Sequence, residues 1–258
     1  MAGHSKWSNI KHRKARQDKV KARVWSKCSK AIMVAARIGG PDPDMNLSLR
    51  YAIDEAKYAN MPKDTIKRAI DKGAGETGGA DFQELMYEGY APGGTALLVL
   101  SLTDNNTRTV GDVRVTFKKG GGSMGNSGSV AFMFATKGQI IVDANKYDED
   151  TIMDVVLEAG ADDVIAPIAE GDGDDDDKGV WTIMTDVAEF QAVKVALEGA
   201  DIEIMEAEIS RIPDNTVEVK GDDVRKVVNL IEAMEELDDV QKVYTNADLD
   251  PAELAKLG

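Results

Sequence analysis

The spacing of apolar positions changes partway along the chain. Val20, Val24, Cys28, Ile32 and Ala35 recur every three or four residues, with Ala31 and Ile38 close to the same face, which predicts an amphipathic helix. Gly39, Gly40 and Pro41 end it. Two further helices follow, one from about Asn46 to Ala59, the other opened by Pro62 and turning Ile66, Ala69 and Ile70 inward. The first fifteen residues lack apolar positions at any regular spacing and read as an extended arm. GAGETGGA, residues 73–80, reads as a glycine-rich linker.

Beyond that linker the pattern alternates between strands and helices. TALLVLSLT, residues 95–103, predicts a buried strand, followed after DNNT by a helix with Val110, Val113 and Phe117 inward. A weak internal repeat comes next. A helix carrying Ile152, Val155, Val156 and Ala159 runs into LEAGADDVIAPI, and another carrying Phe190, Val193 and Leu197 runs into LEGADIEIMEAEI. Each helix starts near an acid, Asp148 or Asp186, which suits the positive end of its dipole, and each hands over to a strand through glycine. Two β-α-β halves joined by a hairpin at EGDGDDDDKG make a ferredoxin-like domain. A last helix with Val224, Val227, Val228 and Ile231 leads into VQKVYTN, a strand that needs a sheet and finds one beside the strands of residues 82–103. The expected fold class is α+β with three domains. These are an N-terminal helical domain with its basic arm (residues 1–80), a discontinuous α/β domain (81–130 and 210–258) and an inserted ferredoxin-like α/β domain (131–209).

Charge divides the chain differently. The formal net charge is −15, yet residues 1–38 hold eleven Lys or Arg against one acid, Asp18, so the remainder carries −25. The single cysteine, Cys28, allows no internal disulfide, and the cytoplasm is the expected compartment. Apolar runs such as ALLVL (96–100) fall far short of the ~20 residues of a membrane helix, so no membrane partner is expected. A folded arm or domain accounts for Trp7 and Ile10 better than a cleavable transit peptide does.

Catalytic machinery is hard to find. The two histidines, His4 and His12, lie in the basic arm, and Cys28 falls in an apolar seam. No zinc-ligand spacing occurs, and no cofactor is expected. GGGSMGNSG (120–128) lacks the Lys-Ser/Thr of a phosphate loop and follows a helix C-terminus, so it reads as a flexible turn or hinge. EGDGDDDDKG places Asp172, Asp174 and Asp176 as in a calcium loop, but Asp177 stands at the glycine position and Ile183 at the glutamate position. A solvated hairpin tip is the better account.

The positive charge remains. Lys6, Lys11, Arg13, Lys14, Arg16, Lys19 and Lys21 fall within sixteen residues, with Trp7 placed to stack on a base. Lys63, Lys67 and Arg68 extend this end, and Arg108, Arg114, Lys118 and Lys119 make a second basic spot. The plain alternative is a solvated face, or an arm folded onto the protein's own acidic domains. The basic helix is poor in Asn and Gln for reading base edges, which favours backbone or shape recognition of DNA or RNA.

AGHSKWSNIKHRKARQDKVKAR, GGPDPDMN, NMPKDTIKRAIDKGAGE, YEGYAPGGTALLV, LTDNNTRTVGDVR, GGGSMGNSGSVAFMF and LDDVQKVYTNADL, spread from residue 2 to about 249, resemble the YebC/PmpR family. The resemblance implies three domains around a cleft and a nucleic-acid-binding role for Lys6, Trp7, Lys11, His12, Arg13, Lys14 and Arg16, with Arg108 carried over from NNTRT; that no acid/base pair or metal set is visible makes an enzyme using the cleft unexpected. Two functions stay open under it. One is a DNA-binding transcriptional regulator; the other is a ribosome-associated translation factor that binds ribosomal RNA and relieves stalling at proline-rich stretches. The oligomeric state is open between a monomer and a weak homodimer. Trp25 stands where the family often has Phe, and Leu47-Ser48 where Pro is usual.

Overall fold

The computed structural model describes residues 18–75, 82–167 and 178–255. Three helices open it: α1 (Asp18–Gly39), α2 (Leu47–Tyr58) and α3 (Lys63–Gly75). Their shared core is Cys28, Ile32, Ala36, Leu49, Ala52, Ala56, Met61, Ile66 and Ala69. The seam of α1 thus runs on through Ala36, and Ile38, expected close to it, is 78% exposed. At 100° per residue Ile38 has rotated out of the line that Cys28, Ile32 and Ala36 keep at a spacing of four. The Trp25 indole donates to the carbonyl of Ala59 across 2.9 Å, tying α1 to the end of α2.

The glycines at 73 and 75, expected in a linker, belong to α3. Gly73 is buried, and a Cβ there would collide with the backbone carbonyl of Met33. Glycine is therefore what lets α3 lie directly on α1.

The discontinuous α/β domain is built from β1 (Gln83–Tyr90), β2 (Ala96–Thr103), α4 (Asn106–Lys119), β3 (Ser123–Met124) and, from the end of the chain, α7 (Asp222–Glu235) and β9 (Val240–Thr245). Its antiparallel sheet has the order β3-β1-β2-β9, so the terminal strand does find its sheet beside β2. β2 is buried on both faces. Leu97 and Val99 join Val113 and Phe117 of α4 and Val227, Val228 and Ile231 of α7, while Ala96 and Leu98 join Val130, Phe134 and Tyr244. Two short strands, β8 (Val217–Val219) and β10 (Ala247–Leu249), pair in parallel, and α8 (Pro251–Ala255) follows.

Inserted into this domain is β4 (Phe134–Asp143), α5 (Glu149–Glu158), β5 (Ala161–Ile165), β6 (Val180–Thr185), α6 (Phe190–Gly199) and β7 (Ile204–Pro213). The sheet order β5-β6-β4-β7 is ferredoxin-like, and Ile140, Val142, Trp181 and Ile183 face Ile152, Val156, Val193 and Leu197 of the helices. The internal repeat is therefore structural. Its two halves differ in detail from the expected pattern. Asp148 caps α5 through Thr151 N–H, but α6 begins beyond Asp186, whose carboxylate instead accepts from Lys137 Nζ at 2.5 Å. Gly160 makes the first handover with φ +94°, whereas Gly199 stays helical and Asp201 takes the left-handed position. Aspartate tolerates that conformation better than most side chains.

The chain divides into two compact units, one containing residues 82–135 and 212–255, the other residues 18–74 and 136–211. The acidic tip of the β5-β6 hairpin lies outside the described residues, although Ile183, at the twelfth position of the calcium-like pattern, is a fully buried core residue of β6.

Candidate nucleic-acid interface

Lys6, Trp7, Lys11, His12, Arg13, Lys14 and Arg16 lie outside the described residues. Lys19 and Lys21 belong to α1. Further along that helix Arg23 is exposed, and Lys27 and Lys30 are half-buried beside the seam of Cys28, Ile32 and Ala36. The α3 cations are better defined. Lys63, Lys67 and Arg68 are exposed, whereas Ile66, Ala69 and Gly73 of the same helix are buried. No carboxylate pairs with Lys63 or Lys67 among the described residues. Among the described residues Arg68 reaches the Asp64 carbonyl at 3.2 Å and the Thr65 hydroxyl at 3.1 Å and no carboxylate. An unpaired cation on a helix face keeps its full field for a phosphate, since no local carboxylate must first be displaced.

This helical domain is anchored within its compact unit by a buried charge pair. Lys194 Nζ of α6 sits 2.5 Å from the Asp54 carboxylate of α2, and both residues are less than 10% exposed. Lys57 supplies a second cation to Asp54 at 2.9 Å. Burial alone would raise the Asp54 pKa, but hydrogen bonds from Lys194 and Lys57 outweigh it and hold the carboxyl below its usual range. Beside the pair, Tyr51 meets Phe190 edge-on at 5.6 Å, and burial together with the charge of Asp54 pushes the Tyr58 phenol well above its ordinary value. A lone buried charge is costly, so the pair ties α2 to α6 in one register.

The second basic spot has a different character. Arg108 is clamped by its own domain: Nε and Nη2 donate to Asp239 at 3.2 and 2.7 Å, and Nη2 donates to Asp104 at 2.9 Å. Asp239 is buried and also accepts from the hydroxyls of Thr109 and Thr103, so Arg108 completes a network joining α4 to the loop before β9. A cavity of about 510 Å³ opens there, lined by Arg108, Thr109, Asp112 and residues 236–239, and its rim is mostly acidic. Arg114, Lys118 and Lys119 remain exposed along α4, the lysines in the last turn, where a helix dipole favours cations.

The glycine-rich segment after α4 forms a turn whose far end is bonded to β1. The Glu88 carboxylate, 5% exposed, accepts the N–H groups of Gly128 (2.6 Å), Val130 (2.7 Å) and Ala131 (2.8 Å), and the Tyr90 hydroxyl donates to the Ser129 carbonyl. An internal carboxylate thus fills the amide cradle that a phosphate would need. Burial pushes the Glu88 pKa up, the amide hydrogen bonds pull it down further, and the net position is below the ordinary glutamate value.

Sequence patterning did not reveal Glu88, Lys194 or the Asp54 pairing, because each acts across more than 39 residues of chain. Among the described residues no three His, Cys, Asp or Glu side chains converge on a metal position, and no helix is long and apolar enough to cross a membrane.

A basic three-helix domain followed by an α/β domain with a ferredoxin-like insertion defines the class, and comparison with known proteins makes it specific. Residues 5–76 match the TACO1/YebC protein N-terminal domain, and residues 82–247 match the TACO1/YebC second and third domain. The chain belongs to the TACO1/YebC family. A protein of Acidovorax sp. (strain JS42) is 49% identical over 249 residues, covering 96% of this chain and 100% of its own length. One of Desulfatibacillum aliphaticivorans is 48% identical, with 96% and 97% covered. Both carry the name probable transcriptional regulatory protein. The crystal structure of a conserved hypothetical protein from Aquifex aeolicus superposes with a TM-score of 0.79 at 43% identity, covering 90% of this chain and 92% of that one.

Proposed function

We propose that this protein is a cytoplasmic regulator of gene expression that binds DNA through its N-terminal domain, without catalytic turnover. The observation that carries this reading is the charge partition: +10 in residues 1–38 and −25 in the rest. A strongly acidic body resists adsorption to polyanions and confines contact to the basic end. The names of the relatives, probable transcriptional regulatory proteins, support DNA as the target. Contacts to ~6 phosphates give a log-log salt slope of about −5 on duplex DNA. Sequence selectivity is expected to come from shape, from a partner factor or from self-association, because one module carrying mostly Lys and Arg reads few base edges.

One observation favours a second reading, in which the target is ribosomal RNA. The exposed flank of α1 offers cations but no Asn or Gln to read bases, and a long basic arm with one tryptophan suits ordering on folded RNA. Crosslinking in cells followed by sequencing of the bound nucleic acid separates the two. The comparison is between the intact chain and one with Lys11, Arg13, Lys14 and Arg16 neutralised. Reads at promoters, lost in the variant, support the regulator. Reads at a few ribosomal RNA positions overturn DNA as the target, and reads unaffected by the variant overturn the basic arm as the binding element.

A further inference from the structure

The GGPDPDMN segment, residues 39–46, takes no part in nucleic-acid binding as proposed, yet several side-chain hydrogen bonds hold it. Asn46, 6% exposed, donates through its side-chain amide to the carbonyls of Ala35 and Gly40, each at 2.8 Å, and accepts from Leu49 N–H at 3.1 Å. One side chain thereby closes the C-terminus of α1 and the N-terminus of α2. Gly39 leaves it room, since a Cβ there would stand 2.5 Å from the Asn46 amide nitrogen, and Gly40 takes φ +88°. Arg50 adds bonds to the carbonyls of Pro43 and Asp44, at 3.1 and 3.0 Å.

What this rigid turn displays is apolar. Met45 is 84% exposed, Ile38 78% and Leu47 53%. They stand on the turn itself and on the two helix ends that it joins. An ordered loop that holds large apolar groups in water has already lost the conformational freedom that binding would otherwise cost. From this we infer that the tip of the α1-α2 hairpin is a docking knob for a protein partner that offers an apolar pocket rimmed by Lys or Arg.

Charge selects that occupant. Between Arg37 and Arg50 the only charged residues are Asp42 and Asp44, both exposed; Arg50 Nη2 stands 3.8 Å from the Asp44 carboxylate but leaves it 93% open to solvent. They repel nucleic acid and an anionic lipid surface, and they also disfavour the −25 remainder of a second copy of this chain. A basic rim is complementary to them, and the three apolar side chains need a dry pocket. Three side chains make a small, short-lived contact. Its affinity is multiplied when the basic arm holds the same assembly, a gain that rests on the nucleic-acid reading, whereas the docking itself does not.

The test places the photocrosslinking residue p-benzoylphenylalanine at Met45 in the full-length chain in cells, with nuclease treatment before recovery and identification of the crosslinked peptide by mass spectrometry. The expected result is a nuclease-resistant adduct to one protein, at an apolar segment flanked by Lys or Arg. Its yield falls about tenfold when Ile38→Ser and Leu47→Ser are introduced together, the loss of one well-packed anchor, and it also falls with Asp44→Lys. These side chains are exposed, so thermal unfolding is expected to match the parent, and so is nucleic-acid retention, which separates a failed knob from a failed arm. An adduct to nucleic acid, lipid or a second copy of this chain overturns the inference. So does the absence of an adduct, or a yield indifferent to the substitutions.

Discussion

Two glycine-rich turns in this protein solve opposite problems. The turn at residues 39–46 follows a helix C-terminus, where carbonyl oxygens lack partners, and the side chain that satisfies them is Asn46, a donor. The segment at residues 125–131 presents a row of N–H groups, and the side chain that satisfies them is Glu88, an acceptor that brings a full negative charge. Both turns contain two glycines, Gly39 and Gly40 in one, Gly125 and Gly128 in the other. Each is rigid because one buried polar side chain matches the sign of its backbone dipoles.

Removing either side chain is expected to have the largest effect on stability. Glu88→Ala leaves three amides without their charge-assisted acceptor, and a loss of about 3 to 5 kcal/mol is expected in urea unfolding of the full chain. Asn46→Ala removes two donated bonds and a helix N-cap, with an expected loss of about 2 to 3 kcal/mol. Near-isosteric exchanges then ask whether sign matters more than shape. Glu88→Gln turns an NH₂ toward N–H donors, and Asn46→Asp turns a carboxylate toward carbonyls. Each is expected to cost about 1 to 3 kcal/mol by the same denaturation, despite almost unchanged volume.

Acidity separates the turns further. The Glu88 pKa is depressed in the folded protein. Its contribution is therefore complete above the unfolded value of about 4.3 and is lost as pH falls through the folded value. Hydrogen exchange of the Val130 amide is expected to lose protection as pH falls through the depressed folded value of Glu88, while that of Leu49, bonded to the non-titrating Asn46, follows only global unfolding. The smallest effect belongs to Gly128→Ala. A Cβ there meets nothing within 4 Å, but φ is +83°, so about 1 kcal/mol is expected, read as a shift in the urea midpoint.

How much of this was legible beforehand follows from the range of each interaction. Periodicity located α1, α2, β2 and α4, because a repeat of 3.6 or 2 is a local property of the chain. It kept Ile38 too close to the seam of α1, since the helix turns past a spacing of four and the last residue faces water at the tip. Glycine density misplaced only the C-terminal end of α3, which runs on through Gly73 to Gly75. Gly73 is helical because the Met33 backbone lies against it, and the loop after α4 is fixed because Glu88 reaches it from β1. Neither cause is visible within a window of neighbouring residues. Arg108 looked like Lys63 as a cation on a helix, yet only the fold brings Asp239 to it from 131 residues away.

By itself the sequence determined the charge partition, the helical and strand elements, the repeat that builds the ferredoxin-like sheet, and the family, because all of these are written in residue types and short spacings. The tertiary structure alone decided which charges are committed and which face water. Asp54 meets Lys194, Glu88 meets the amides of a distant loop, and Ile38, Met45 and Leu47 stay largely exposed. Burial and pairing are properties of the neighbours a fold supplies, and a buried charge or an exposed apolar group has an energetic meaning only once those neighbours are in place.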